Sequence, residues 1–172
     1  MAGLIEPKYI ASVTPTVTNL QTLASNQTWI AGWFSGTVTN TSNVYRDYCY
    51  SGTFTTAGAT RQAGSINVYV VASLNDTPTW TATATGTLGT EGTGSFTDTQ
   101  MRDSLCRLLI SIPVTTTVSE VYTFAQLGIA QLFGNTVPTH HCLYIAANAG
   151  TTTTASFASA AIYYTPNVDQ YT

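Results

Sequence analysis

The stretch Ala63–Leu74, AGSINVYVVASL, shows the pattern that decides the fold of this chain. Its apolar side chains recur at every second position, at Ile66, Val68, Val70 and Ala72. A period of two places them on one face of a β-strand, and β-branched residues favour that conformation. The stretch therefore predicts a strand with one face in a hydrophobic core.

The same alternation continues on both sides of this stretch. Segments rich in Thr, Val and aromatic residues are separated by short turns of Asn, Gly, Ser and Pro, which is a strand-and-turn signature. The predicted strands are Trp29–Thr39, Val44–Thr56, Thr79–Thr85, Leu105–Val114, Val118–Thr123, Leu143–Ala147 and Ala155–Tyr164. We expect Leu105–Val114 to be a second core strand. Short strands at regular spacing predict an all-β fold, an antiparallel β-sandwich of jelly-roll type.

One short helix is expected beside these strands. Phe124–Phe133, FAQLGIAQLF, carries apolar residues at helical spacing, although Gly128 interrupts it. Gly134 and Asn135 follow as a stop signal, because Gly and Asn tolerate the left-handed conformation that ends many helices. The pattern predicts the only helix of the fold here.

The N-terminal segment differs from the rest of the chain. Residues 1–27 hold two prolines and isolated apolar residues between polar ones. This pattern predicts an extended arm, followed by a sandwich domain over residues 28–172 that ends in an extended C-terminal tail. A solvated tail needs no large apolar side chains, so we expect the arm to contact a partner protein or a neighbouring subunit through them. They are Leu4, Ile5, Tyr9 and Ile10.

Composition narrows the possible functions. Roughly one residue in five is Thr, and only 8% are charged, against about 25% in an ordinary domain. Five scattered cations in a chain of net charge −3 form no basic stripe, which argues against nucleic-acid binding. A neutral hydrogen-bonding surface suits wide contacts with protein and lacks the charges that keep β-proteins apart. We therefore expect a self-associating structural or binding module.

The cysteines and the N-terminus give further expectations. Cys49, Cys106 and Cys142 are far apart and odd in number, which favours free buried thiols over a disulfide framework. The N-terminus lacks the basic start and apolar run of a signal peptide, and no stretch approaches a membrane span. We expect no membrane partner.

The run His140-His141-Cys142 is the nearest approach to metal or catalytic chemistry. A zinc site needs three or four ligands, and the chain has no other His. Neighbouring residues of a strand point to opposite faces, so His141 cannot activate the thiol of Cys142. We expect strand-edge histidines at a subunit contact, with no metal and no catalytic role.

Two other segments superficially resemble functional motifs. Gly86–Gly94 is rich in Gly and Thr but has no Lys, so it predicts a hairpin loop and not a phosphate-binding loop. Asp98 and Asp103 flank Arg102, with Glu91 nearby. Their spacing matches no glycosidase or calcium-loop pattern, so a solvated, locally paired charge cluster is expected. We predict no enzyme activity and no cofactor.

A C-terminal stretch resembles a known class of proteins. Residues 124–150 read FAQLGIAQLFGNTVPTHHCLYIAANAG, and a Gly/Thr turn then leads to AIYY at residues 161–164. The step from LGIA through FG to VP, followed by a strand that ends in Asn-x-Gly, resembles head-associated proteins of tailed bacteriophages. The resembling region runs from about Tyr122 to Tyr164, roughly a quarter of the chain. It departs from the pattern at His140-His141, where an aromatic residue is expected.

Some proteins of that class are capsid cement or decoration proteins with a jelly-roll fold. The resemblance implies a virion protein, made in the host cytoplasm, that binds the outer surface of a phage head. It implies that the chain stabilises contacts of the major capsid protein as a homotrimer and has no catalytic residue. The alternative is a carbohydrate-binding module of a phage tail or fibre. Trp29 and Trp33, expected on one strand face, would then form a sugar-stacking platform with Trp80.

Overall fold

The structure of the protein is a computed structural model. It describes residues 5–42, 44–57, 62–73, 78, 80, 84–85, 88–148 and 157–171. Within these residues the chain forms two antiparallel β-sheets that pack into a sandwich, with one α-helix of seven residues. The prediction of an all-β sandwich is confirmed.

Four strands form the smaller sheet, in the spatial order β1-β11-β4-β9. They are β1 (Ile5–Tyr9), β4 (Asp47–Thr56), β9 (Val121–Gly128) and β11 (Phe157–Tyr171). β11 is long enough to pair with β4 along residues 157–167 and with β1 along residues 167–171. β1 is therefore attached where β11 extends beyond β4.

The larger sheet has the order β6-β7-β2-β10-β5-β8, and β3 also pairs with β10. Its strands are β2 (Ala31–Phe34), β3 (Val38–Thr39), β5 (Gly64–Ser73), β6 (Ala84–Thr85), β7 (Gly92–Phe96), β8 (Cys106–Val114) and β10 (His140–Ala147). Along the chain, β4 lies between β3 and β5 but belongs to the other sheet, and β9 likewise lies between β8 and β10. This repeated crossing packs the two sheets around one shared core.

The core between the sheets follows from strict alternation in β4 and β5. In β4 every second residue is buried, and the largest of these are Tyr48, Tyr50 and Phe54. Facing them from β5 are Ile66, Val68 and Val70, each with no exposed surface. Full burial of one such side chain contributes roughly 1.5–3 kcal/mol. The prediction of a core strand at Ala63–Leu74 is confirmed, with bounds Gly64–Ser73.

A second apolar cluster covers the opposite face of the larger sheet. It contains Phe34, Tyr69, Val71, Leu88, Phe96, Cys106, Cys142, Tyr144 and Ala146, with Trp29, Trp80, Ala84 and Leu105 packed against it. The larger sheet is therefore buried on both faces, and every residue of its central strand β10 is buried. The outer face of the smaller sheet has no such cover among the described residues.

The predicted helix at Phe124–Phe133 is wrong. Residues Val121–Gly128 form β9, and only Ala130–Phe133 make a short 3-10 turn, which ends at Gly134 with φ 69°. The cause is a β-bulge: β9 has one extra residue where Phe124 pairs with Gly52 and Leu127 with Tyr50, and Gln126 has φ 55°. Because of the extra residue, the inward-facing side chains Phe124 and Leu127 are three positions apart in sequence instead of two. This spacing resembles that of a helix face.

The α-helix lies elsewhere, at Thr99–Leu105, and we call it α1. Asp98 caps it, since its carboxylate accepts a hydrogen bond of 2.7 Å from the backbone N–H of Met101. Asp is among the preferred residues for this position. The sequence interpretation treated Asp98 as part of a charge cluster and missed the cap.

Of the expected arm, residues 1–27, the described part from residue 5 onwards is not free but packed on the sandwich. β1 pairs with β11 of the same chain, and Val13 forms an isolated bridge with Tyr164. Leu20 and Leu23 are buried in the core between the sheets. Because these two side chains belong to the core, the expected domain boundary at residue 27 does not separate an arm from a body. The expected C-terminal tail is likewise the paired end of β11.

β8 is a strand, as predicted, but it is an edge strand of the larger sheet. Cys106, Ile112 and Val114 are buried, whereas Leu108 is 48% exposed. The prediction of a fully buried strand at Leu105–Val114 is therefore wrong for its middle. Of the predicted strand Thr79–Thr85, residues 79 and 81–83 lie outside the described residues, and Ala84–Thr85 form β6.

Candidate functional site

The outer face of the smaller sheet is a sheet surface that neither apolar cluster of the described residues covers. We call it the open face. Its side chains alternate with the core side chains of three strands. They are Cys49, Ser51, Thr53 and Thr55 of β4, Ser159, Ala161, Tyr163 and Thr165 of β11, and Val121, Thr123 and Ala125 of β9. None of these side chains is charged, and the same alternation places the two charged residues Asp47 and Asp169 at one end of the face.

Strand register arranges the open face in rows. Thr53 is paired with Ala161 on one side and with Thr123 on the other, and Thr55 lies between Ser159 and Val121. Short and β-branched side chains directly opposite each other make a flat surface, and such pairs stabilise the sheet by roughly 0.2–1 kcal/mol each. The side chains that stand out from it are Tyr163, 39% exposed, and Val121, 58% exposed.

β1 extends this face past the end of β4. All five of its residues are exposed. Pro7 pairs with Asp169 and Tyr9 with Asn167, so alternation places Ile5, Pro7 and Tyr9 on the same side as Thr165 and Tyr163. The ion pair between Arg46 Nη1 and Asp169 Oδ1, at 2.6 Å, joins this ribbon to the sheet.

The structure brings two of the four predicted contact residues to one place. Ile5 and Tyr9 are 55% and 62% exposed at the edge of the open face. Ile10 is half-buried, and its backbone N–H donates to Pro166 at 2.8 Å. Leu4 lies outside the described residues. Sequence reasoning missed the residues of β4 and β9, although the alternation of Thr and Ser with aromatic residues in YCYSGTFTT carried the signal.

The His140-His141-Cys142 run lies in the centre of the fold, and the prediction of strand-edge histidines is wrong. All three residues are buried in β10, which has paired neighbours on both sides. His141 Nε2 lies 2.8 Å from the hydroxyl of Tyr50 across the core. Its Nδ1 has no hydrogen-bond partner among the described residues. The pKa of His141 is lowered from 6.5 to about 3. Burial is the larger cause, and the nearby His140 is the smaller one.

The three thiols are free, and two of them, Cys106 and Cys142, are buried. Burial raises the pKa of Cys142 to about 12 and also raises the pKa of Cys106. Cys49 lies half-buried on the open face, and burial together with the Asp47 carboxylate raises its pKa as well. Protonated thiols are poor nucleophiles and poor metal ligands. Among the described residues no group of three or more His, Cys, Asp or Glu side chains is placed to hold a metal ion.

The acidic residues have separate structural partners. Glu91 accepts hydrogen bonds of 2.7 Å from Trp33 Nε1 and from both the backbone and side-chain nitrogens of Asn19. Arg102 is only 8% exposed and binds the Asp103 carboxylate and, at 2.6 Å, the backbone carbonyl of Thr28. The expected single charge cluster is therefore split: Glu91 tethers the N-terminal segment to β2, while Arg102 anchors α1.

The tryptophans do not form the expected platform. Trp33 has no exposed surface and points into the core between the sheets. Trp29 precedes the strand at φ 53° and packs with Trp80 against the second apolar cluster. The two side chains thus lie on opposite faces of the larger sheet. Of the expected Gly86–Gly94 loop, Gly92–Gly94 belong to β7, and Gly86 and Thr87 lie outside the described residues.

No helix in the described ranges is long and apolar enough to cross a membrane. Comparison with models of known protein families and with curated proteins gave no match to this chain. Its function is therefore argued from its own geometry.

Proposed function

We propose that this chain is a capsid cement protein of a tailed bacteriophage, which binds the outer surface of the head and stabilises contacts between major-capsid subunits. The observation that carries the proposal is the open face. A sheet surface in water normally carries charged side chains that discourage association. Here Thr, Ser, Ala and Tyr occupy most of those positions, and the charged Asp47 and Asp169 lie together at one end of the face. Such a face binds a flat protein surface without desolvating a charge.

The extension of the face by β1 supports a bridging role. Ile5 projects from the part of the ribbon that extends beyond β4, while Tyr9 lies level with the first residue of β4. The free end of the ribbon is therefore placed to reach a neighbouring subunit. We propose that three copies associate and that the ribbons contact either the capsid or each other. Repetition by symmetry then multiplies weak individual contacts into stable attachment.

A charge placed on the open face tests the proposal. We expect Thr53→Glu to weaken binding to phage heads that lack the protein by at least about tenfold, because a carboxylate buried without a partner costs more than 1.4 kcal/mol. Bound copies per head, measured by quantitative gel or cryo-electron microscopy against protein concentration, give the affinity. The matched control is Gln100→Glu, which adds the same charge to the exposed side of α1 on the opposite side of the sandwich.

Two outcomes contradict the proposal. One is unmodified protein that shows no saturable binding to heads. The other is Thr53→Glu that binds as tightly as Gln100→Glu, provided that both variants keep the thermal transition of the parent.

Removal of β1 tests the ribbon separately. Deleting residues 2–9 should change the unfolding temperature little, because no side chain of β1 is buried. The same deletion should lower occupancy on heads and shift a trimer towards monomer in light-scattering measurements. A deletion that continues to residue 20 is a different experiment, since it removes Leu20 from the core. Full occupancy and an unchanged oligomer after the shorter deletion would show that the ribbon makes no contact.

The alternative, a carbohydrate-binding module that stacks sugars on its tryptophans, has no geometric support at those residues. Trp33 is buried, and Trp29 and Trp80 are packed against apolar side chains. We do not propose that module.

A further inference from the structure

A groove lies at the end of the open face, where β1 and β9 approach the start of β4. It consists of two adjoining hollows of about 410 Å³ and 160 Å³, and both are lined by Tyr9, Cys49 and Gln126. The larger hollow also has Gln131, Asn135 and Asn167 in its wall. The larger hollow alone falls within the range of about 300–1,000 Å³ that small-molecule sites occupy.

The charged groups at this groove are already compensated. Arg46 Nη1 is paired with Asp169 Oδ1 at 2.6 Å. One oxygen of Asp47 accepts hydrogen bonds of 2.8–2.9 Å from the backbone N–H groups of Tyr48, Ile129 and Ala130. An anion or a cation would have to compete with these partners. A ligand without charge would not.

The remaining lining groups match a polyhydroxyl compound. The side chains of Gln126, Gln131 and Asn135 each carry two donors and an acceptor, which is the combination that sugar hydroxyls, donors and acceptors themselves, can satisfy. The ring of Tyr9 is 62% exposed beside them, and an exposed aromatic ring offers a flat apolar face with a polar tip. The groove lacks the mostly apolar lining of sites for apolar ligands.

The backbone holds two of these amides in unusual conformations. Gln126 has φ 55° at the bulge of β9, and Asn135 has φ 64° just after the 3-10 turn. Positive φ is uncommon for residues other than glycine, and strained positions cluster at ligand sites. The bulge places Gln126 at the boundary of both hollows.

We propose that this groove binds a neutral saccharide, whose ring stacks on Tyr9 and whose hydroxyls hydrogen-bond to Gln126 and Asn135. The site is distinct from the tryptophans. It shares Tyr9 with the proposed ribbon contact, so it is tested on the free protein.

Titration with oligosaccharides tests the site. Amide chemical shifts of labelled protein are followed while neutral trisaccharides of glucose, galactose, mannose and N-acetylglucosamine are added, with an oligoglucuronate as the charged probe. We expect at least one neutral probe to bind with shifts centred on Tyr9, Gln126 and Asn135, and the oligoglucuronate to bind more weakly. Tyr9→Leu and Gln126→Gly should each weaken binding by about tenfold or more, and Gly keeps the backbone conformation at residue 126.

The matched control is Tyr163→Leu, which removes another exposed ring from the same face but not from the groove. It should leave the affinity unchanged. The proposal is overturned if no neutral probe shifts the groove amides at millimolar concentration, if oligoglucuronate binds better than every neutral probe, or if Tyr163→Leu weakens binding as much as Tyr9→Leu.

Discussion

Lowering the pH from about 6.5 to about 4 should destabilise the folded protein by about 3 kcal/mol through His141 alone. The imidazole is buried against Tyr50, and its pKa falls from 6.5 to about 3. Between these two values the unfolded chain binds a proton that the folded chain does not. The contribution of His141 to the free energy of unfolding is therefore fully present above pH 6.5. It decreases by about 1.4 kcal/mol for each unit that the pH falls towards 3.

Denaturant unfolding at a series of pH values measures this slope. The double variant His141→Phe with Tyr50→Phe removes both polar groups of the pair and should abolish most of the slope between pH 6.5 and 5. Tyr50→Phe alone is the control, because it keeps the buried imidazole and should keep the slope. An equal slope in the double variant and the parent would contradict the assignment to His141.

One carboxylate adds to acid sensitivity at lower pH. Hydrogen bonds from Tyr122 and then Thr115 lower the pKa of Glu120. The stability that this gives is present above the usual carboxyl pKa of 4.5 and is lost as the pH falls through the lower folded value. The range from pH 6.5 to 5 therefore isolates the contribution of His141.

The strands were predictable where alternation is regular and continuous. In β4 and β5 a residue's position in the alternation is enough to tell whether it faces the core, so the fold class and the core of β5 followed from sequence. The helix prediction failed at β9 because a single bulge residue, Gln126, shifts the alternation by one position. A bulge depends on the pairing partner, which local sequence does not reveal.

The burial of β10 illustrates a second limit of prediction from local sequence. Its histidines, His140 and His141, were expected at a strand edge, yet β10 lies between β2 and β5 with apolar clusters on both faces. The order of strands in a sheet is set by contacts between distant segments, as in the pairing of β2 with β10 across more than a hundred residues. The sequence pointed to Ile5 and Tyr9, which are exposed, but the face formed by β4, β9 and β11 emerges only when the three strands are paired.

Adding one methyl group at Gly32 should strongly destabilise the fold at the second apolar cluster of the larger sheet. A Cβ at this position would contact the ring of Tyr144 below any normal separation and would lie 2.5 Å from the carbonyl oxygen of Ile145. Neither the ring of Tyr144 nor this carbonyl oxygen can move easily. The oxygen belongs to the backbone of β10, and the ring is fully buried, with its hydroxyl donating to the Trp29 carbonyl at 2.8 Å.

The rings around Tyr144 remove the remaining freedom. Its centroid lies 4.8 Å from that of Phe34 and 5.0 Å from that of Phe96, so a shift of one ring displaces the others in a close-packed cluster. Overpacking a rigid core costs typically 1–3 kcal/mol and more where backbone is involved. For Gly32→Ala we expect a loss of about 3 kcal/mol or more, a large share of the 5–15 kcal/mol that stabilises a typical domain.

Gly92→Ala is the matched control for this substitution. Gly92 lies in the adjacent strand β7, paired with Phe34, and a Cβ there meets nothing within 4 Å. Denaturant midpoints should therefore fall sharply for Gly32→Ala and stay close to the parent for Gly92→Ala. If Gly32→Ala does not fold, its soluble yield should be low while that of Gly92→Ala stays normal. This result would also show that a Cβ at position 32 destabilises the fold. Equal midpoints for the two variants would mean that β2 and β10 are not packed as closely as their register requires.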